Sequence, residues 1–148
     1  YWDPDARASI QGLTLDAGPE HIARAALECV AFQTRDLRDA MAADSPAPPH
    51  TLRVDGGMVV NDWLCQFLAD MLDAPVERPT VTETTALGAA LLAGLHVGLH
   101  GGLADLAAGW SCERRFEPRR DSATRESLYA AWRLAVERVR WPGAEAGA

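Results

Sequence analysis

One run of this sequence could bring a ligand onto bare backbone: Val54-Asp55-Gly56-Gly57-Met58-Val59-Val60-Asn61. Paired glycines at the end of a strand let the chain turn sharply and let a ligand lie directly on the main chain. A helix starting just beyond would add amide donors and a side-chain cap, and open α/β folds bind ligands at such places. The same spacing also serves a plain strand-to-helix turn, so the run alone leaves both readings open.

Other residues of reactive type are less well placed. His96 and His100 stand four apart, as two metal ligands on one helix face would. Gly98, Gly101 and Gly102 surround them, however, and no carboxylate or cysteine stands nearby to complete a ligand set. Glu83, Glu77 and Asp73 could act as acid or base only with burial and a pocket to tune them, so solvated surface acids are expected. Ser9, Ser45, Ser111, Ser122 and Ser127 lie in no nucleophile-elbow context. Phe32, Trp63, Phe67 and Trp132 fall on helix stripes and read as core.

Composition removes whole classes. All 14 basic residues are arginines, because the chain of 148 residues has no lysine. A Walker loop, a protein-kinase strand lysine and a pyridoxal phosphate Schiff base are therefore excluded. A net charge of -7 argues against nucleic acid or an anionic membrane surface as partner. Cys29, Cys65 and Cys112 form no C-x-x-C pair, so neither a disulfide framework nor a zinc site is written into the spacing. A reducing, cytoplasmic setting is the expectation. No apolar run approaches the ~18 residues of a membrane span. The chain opens Tyr1-Trp2-Asp3-Pro4 without Met, which reads as a piece of a longer polypeptide.

The elements that must position the glycine run follow from periodicity. Ile22, Ala26, Cys29 or Val30, Gln33, Leu37 and Met41 recur at three and four, predicting a helix from Pro19 to about Ala43. Asp3-Pro4-Asp5 suits a turn, and Ile10 to Leu13 at best a short strand. Ser45-Pro46-Ala47-Pro48-Pro49 breaks the helix. Thr51-Leu52-Arg53-Val54 reads as a short strand ending at Asp55-Gly56-Gly57, and Trp63, Leu64, Phe67, Leu68, Met71 and Leu72 as a helix capped by Asn61 or Asp62. Pro75-Val76-Glu77-Arg78-Pro79 predicts a very short strand whose prolines suit an edge or a strand start. Thr84 or Thr85 should cap a further helix with Leu87, Leu91, Leu92 and Leu95 as its apolar stripe, the small run Gly88-Ala89-Ala90 allowing close approach to a neighbour. Leu103 to Ala108 suggests one helical turn and Arg114 to Pro118 a strand or extended link. Leu128, Trp132, Ala135 and Val139 place a final helix over Ser122 to Arg140, and the tail from Trp141 should fray.

The stretch from Leu52 to Leu95, LRVDGGMVVNDWLCQFLADMLDAPVERPTVTETTALGAALLAGL, resembles the second signature region of the FGGY carbohydrate kinases. The opening YWDPDARASIQGLTLDAGPEHIARAALECVAFQTRDL is similar to the segment those enzymes place before it, and Tyr129, Trp132 and Trp141 match their terminal helix. The opening block, Glu77-Arg78-Pro79 and Thr85-Ala86-Leu87-Gly88-Ala89-Ala90 bring the likeness closest to the family's glycerol-phosphorylating branch.

The resemblance implies an α/β fold, a partial ribonuclease-H-like domain of the actin and hexokinase type, helix-rich with short strands. Residues 1–148 would be the C-terminal part of the nucleotide-binding domain, with the N-terminal domain and early hairpins encoded before Tyr1. It implies ATP and Mg²⁺ in a cleft between two domains, glycerol as phosphoryl acceptor in the full-length enzyme, and homo-oligomers, since relatives commonly form dimers or tetramers. Gly57 matches the glycine whose backbone lies against the nucleotide, Asn61 the residue that reaches the adenine, and Gly56 shares the turn. Asp62 stands where a second Asn is common and Met58 where a small residue is usual. The resemblance places the catalytic base, the glycerol site and the first phosphate loop outside this stretch, so it assigns no catalytic residue and no metal ligand within the chain. A non-catalytic nucleotide-binding or assembly module, or a kinase of another polyol or sugar, stands as the alternative.

Overall fold

The computed structural model describes residues 3, 6–44 and 50–140. The expected Asp3-Pro4-Asp5 turn, the proline break at 45–49 and the tail from Trp141 lie outside or partly outside them. The chain forms two compact units, one of residues 1–46 with 120–148 and one of residues 47–119.

The first unit holds two long helices, α1 (Pro19–Asp44) and α5 (Ser122–Arg140), close to the predicted bounds. The face that α1 buries differs from the stripe expected from spacing. Ala31, Phe32 and Arg35 are buried, whereas Ile22, Leu37 and Met41 are exposed. The partner helix explains the choice. Phe32 stacks on Trp132 with ring centroids 5.6 Å apart. Asp36 accepts hydrogen bonds from the Tyr129 hydroxyl at 2.5 Å and from Trp132 Nε1 at 2.8 Å. Arg35 Nη2 meets both carboxylate oxygens of Glu126 at 2.8 Å, and its guanidinium lies 3.9 Å from the Tyr129 ring centroid. An aromatic pair thus packs beside an ion pair, and the Glu126 carboxylate and the Tyr129 ring offset the burial of the arginine. Residues 10–13 form no strand. Gln11 instead donates to the Ala135 carbonyl and accepts from Arg138, both on α5.

The second unit is a three-stranded sheet in the order β1 (Leu52–Arg53), β2 (Val76–Pro79), β3 (Cys112–Phe116). β1 runs parallel to β2, and β3 antiparallel to it. Helix α2 (Asp62–Leu72) lies in the crossover connection that parallel neighbours require. It supplies most of the core: Leu64, Cys65, Phe67, Leu68, Met71 and Leu72 are all buried, against Val76 and Phe116 of the sheet. Removing one such side chain, as in Met71→Ala, should cost about 2–5 kcal/mol.

β2 is the central strand, and of the two places its prolines suited, an edge or a strand start, Pro75 takes the second, directly before Val76. Pro75 precedes the strand and uses only its carbonyl, accepting from the Leu52 N–H at 2.9 Å. Pro79 sits where the register with β3 shifts, between Arg78 and Pro79, a place where the missing N–H costs no ladder bond. Helix α3 (Thr84–His96) also departs from expectation. Glu83 occupies its N-cap without a side-chain cap bond, and Thr84 is its first residue. Of the expected stripe, Leu87 and Leu92 are exposed, and a side chain on Gly88 would meet nothing within 4 Å. A short helix α4 (Leu103–Ala108) precedes β3. No described helix is long and apolar enough to cross a membrane.

Candidate functional site

The glycine run falls where the spacing put it, at the carboxyl end of β1. The Val54 N–H still pairs with the Glu77 carbonyl at 3.0 Å, after which the chain leaves the sheet. Gly56 turns it with φ +86°, a conformation that side chains strongly disfavour. Residues Gly57–Val60 then form one 3-10 turn, and Asn61 opens α2. Gly57 has no such backbone demand. A Cβ there would meet nothing within 4 Å, so the space above its backbone is open. The two glycines therefore serve different purposes: Gly56 bends the chain, and Gly57 leaves room.

Asn61 caps α2, its Oδ1 accepting from the Leu64 N–H at 3.2 Å. That leaves its Nδ2 as the donor end, with no hydrogen-bond partner among the described residues. Met58 and Val60 are exposed beside it, while Val59 is buried.

Four ties from outside the turn hold it. The Gly56 N–H donates to the Thr82 carbonyl at 2.9 Å. Asp55 accepts a hydrogen bond from the Thr84 hydroxyl, so the end of β1 is fastened to the first residue of α3. The Val59 carbonyl accepts from Arg78 Nη1 at 2.8 Å and from the Cys65 thiol at 3.2 Å. Burial pushes the Cys65 thiol above its ordinary pKa, keeping it a protonated donor.

Arg78 carries more of this arrangement than spacing could show. Besides Val59 it binds Glu113 on β3 at 2.6 Å and Asp62 at 2.9 Å, and Asp62 also pairs with Arg114. The Glu113 hydrogen bond is the largest cause raising the guanidinium above its ordinary value. The role of Asp62 is thereby physical: its carboxylate is shared by two arginines. No local pattern could have revealed this, because the partners lie far apart in sequence. The one signal in the sequence was a pair of charged residues, Glu77 and Arg78, between Val76 and Pro79 of a predicted short strand.

The remaining candidates do not join this site. Glu77 is tied to Arg115 at 2.6 Å and to Arg53 at 3.6 Å. Asp73 ends α2 in the left-handed region, with φ 49°. Glu83 is exposed at the cap of α3. His96 is exposed in the last turn of α3, and the His100 ring stands so near Gly94 that a Cβ there would come within 3.0 Å of it. Among the described residues no cluster of three or more His, Cys, Asp or Glu could hold a metal ion.

Chemically, the arrangement presents an open glycine backbone, an amide donor on a helix cap and the start of a second helix, all at the carboxyl ends of two parallel strands. That suits a flat, hydrogen-bonding group laid on the turn.

Comparison with known proteins bears on the family and the fold. Residues 1–97 match the model of the C-terminal domain of the FGGY family of carbohydrate kinases. A glycerol kinase of Rhodospirillum rubrum is 60% identical over 139 residues, 94% of this chain and 28% of that protein. One from Ectopseudomonas mendocina is 57% identical over 97% of the chain and 29% of its own length. The crystal structure of Plasmodium falciparum glycerol kinase with ADP superposes with a TM-score of 0.79 at 37% identity, covering 94% of this chain and 28% of that one. The chain thus spans under a third of the length of the curated relatives it matches. Its small mixed sheet and helices are part of the ribonuclease-H-like α/β fold of these kinases. The chain belongs to the FGGY family of carbohydrate kinases, matching the model of their C-terminal domain over residues 1–97.

Proposed function

We propose that this chain forms the adenosine side of the nucleotide site of an ATP-dependent glycerol kinase, which transfers the terminal phosphoryl group of ATP to glycerol. The observation that carries the substrate reading is the 60% identity to a glycerol kinase over 94% of the chain. For the nucleotide, the support is the open Gly57 backbone beside the donor end of Asn61, together with the ADP named for the similar Plasmodium falciparum structure.

In this reading the chain binds and orients. Gly57 lets the nucleoside lie on the main chain, Asn61 Nδ2 donates to an acceptor on the adenine edge, and Gly56 sets the direction of the turn. Phosphoryl transfer gains its rate from in-line positioning and from electrostatic stabilisation by groups on both sides of a closed cleft. One wall fixes the nucleotide, and the acceptor and its base belong to the other. The Mg²⁺ that accompanies ATP would be held by the phosphates, water and one or two carboxylates, and this reading assigns none of those carboxylates to the present stretch. The same reading places the whole protein in the cytoplasm, with a homo-oligomer as its expected assembly.

The test is acceptor-dependent ADP release by the protein expressed from its complete gene. Glycerol should be phosphorylated with a kcat/KM well above that of other polyols and of sugars. Preference for a sugar would move the assignment to another branch of the family, and ADP binding without turnover on any acceptor would favour a non-catalytic module.

A further inference from the structure

The 3-10 turn that presents Gly57 is weakly held by its own backbone. Its closing bonds are long, Val59 N–H to Gly56 carbonyl at 3.3 Å and Asn61 N–H to Met58 carbonyl at 3.2 Å. What grips it is the Val59 carbonyl, buried beneath the turn and taken by two side-chain donors, Arg78 and Cys65. Arg78 is the stronger of the two, being charged, nearer and itself immobilised. Its side chain is only 10% exposed, and it is fixed by Glu113 on β3 and by Asp62 in the first turn of α2. One guanidinium therefore spans the central strand, the outer strand, the turn and the helix that follows. Ion pairing alone would not need this depth, since a surface arginine can satisfy two carboxylates without the cost of burial. Burial adds two contacts, the Val59 carbonyl and the Phe116 ring, whose centroid lies 5.6 Å from the guanidinium, and of these only Val59 belongs to the turn.

We propose that Arg78 is a positioning residue for the nucleotide turn, holding the Val59 carbonyl so that Gly57 and the Asn61 amide are presented in register. Its effect on nucleotide affinity rests on the function proposed above, whereas its effect on the turn does not. Arg78 touches no substrate in this scheme and acts through Val59 and Asp62.

The experiment uses the protein expressed from its complete gene, with Arg78→Met and Arg78→Lys, and reads two quantities. One is amide hydrogen exchange of Val59 and Asn61 relative to Met71 and Leu72 in the core of α2. The other is ADP affinity by calorimetric titration. For Arg78→Met, exchange at Val59 and Asn61 should rise about tenfold, the effect of losing one charge-assisted hydrogen bond, with Met71 and Leu72 unchanged. The dissociation constant for ADP should rise by a similar factor, while KM for glycerol stays within about twofold of the parent, because the acceptor site lies elsewhere. Arg78→Lys, which keeps the charge and can reach one acceptor, should fall between. Should Arg78→Met fail to fold, the Arg78→Lys exchange pattern decides. Unchanged protection at Val59 and Asn61 would overturn the proposal, as would equal losses at all four amides, which would make Arg78 a general stability residue. If the unaltered protein binds no ADP, the nucleotide reading falls, and the amide pattern alone still decides whether Arg78 holds the turn.

Discussion

Thr84, the first residue of α3, donates its hydroxyl hydrogen to the carboxylate of Asp55, two residues beyond the end of β1. The two lie 29 positions apart in sequence, and the bond fastens the start of one helix to the mouth of the glycine turn. Thr84→Val keeps the shape and removes the donor. Its site is exposed, so the loss should be at the low end of the usual range, about 0.5–1 kcal/mol, seen as a lower urea midpoint with unchanged slope. Asp55→Ala, which removes the acceptor, should behave alike. If either variant were as stable as the parent, the tie would carry no weight in the fold.

Asn61 has two ends with separable duties. Asn61→Ala removes the α2 cap and should cost about 1 kcal/mol of stability, in addition to weakening nucleotide binding. Asn61→Asp retains the cap acceptor at a helix N-terminus that favours negative charge, yet it replaces the Nδ2 donor. Stability should then hold or rise while the preference for ATP over other triphosphates relaxes. Thermal melting beside triphosphate competition distinguishes the two, and an Asn61→Asp variant that discriminates as well as the parent would remove the adenine role.

In the helical unit, Glu126 is held below its ordinary pKa, chiefly by hydrogen bonding to Arg35 and against a smaller opposing effect of burial. A carboxylate depressed on folding contributes stability above its unfolded value and loses it as pH falls through the folded value. The acid limb of the stability curve should therefore steepen below about pH 4.3, and Glu126→Gln should flatten it. The carboxylate is half exposed, so solvent screening keeps the effect small. Denaturant titrations over roughly pH 3 to 7, which spans the charge change of a glutamate, would show it. An identical acid limb in the variant would refute the assignment.

Local signals carried the long elements well. The helices from Pro19, around Trp63 to Leu72, and over Ser122 to Arg140 were legible because apolar spacing repeats over several turns in each. Asn61 could be placed as a cap because its side chain acts on its own helix. What failed depended on distant partners. The buried face of α1 is chosen by Trp132 and Tyr129 on α5, so Phe32 and Arg35 turn inward while Leu37 and Met41 do not. Pro75 and Pro79 left an edge and a strand start both open, and the choice is set by β1 and β3, which pair with β2 on either side. Thr84 has the right type for a cap, and it is spent on Asp55 instead. Within the candidate site, Gly56 and Gly57 stand out in the run itself and Asn61 is one of two cap candidates there, whereas its part toward adenine is implied only by the family resemblance. Arg78, whose partners are Asp62, Val59 and Glu113, could not be named from local spacing.

The contrast between the two glycines offers a control. Gly56→Ala must place a Cβ at φ +86° and should cost about 1 kcal/mol for that reason alone. Gly57→Ala meets open space within the chain and should be nearly neutral by thermal melting. Equal destabilisation at both positions would contradict the separation of their roles.

The most direct measurement of the central claim is steady-state kinetics of Gly57→Val in the protein expressed from its complete gene, with ATP and glycerol varied in turn. A branched side chain there fills the space in which the nucleotide is placed, and its Cβ meets no other part of the chain. KM for ATP should rise at least about tenfold, a loss of ~1.4 kcal/mol in nucleotide binding, with KM for glycerol and the melting temperature close to those of the parent. Unchanged ATP kinetics in a folded Gly57→Val variant would contradict the account, because the nucleotide could not then lie on this turn.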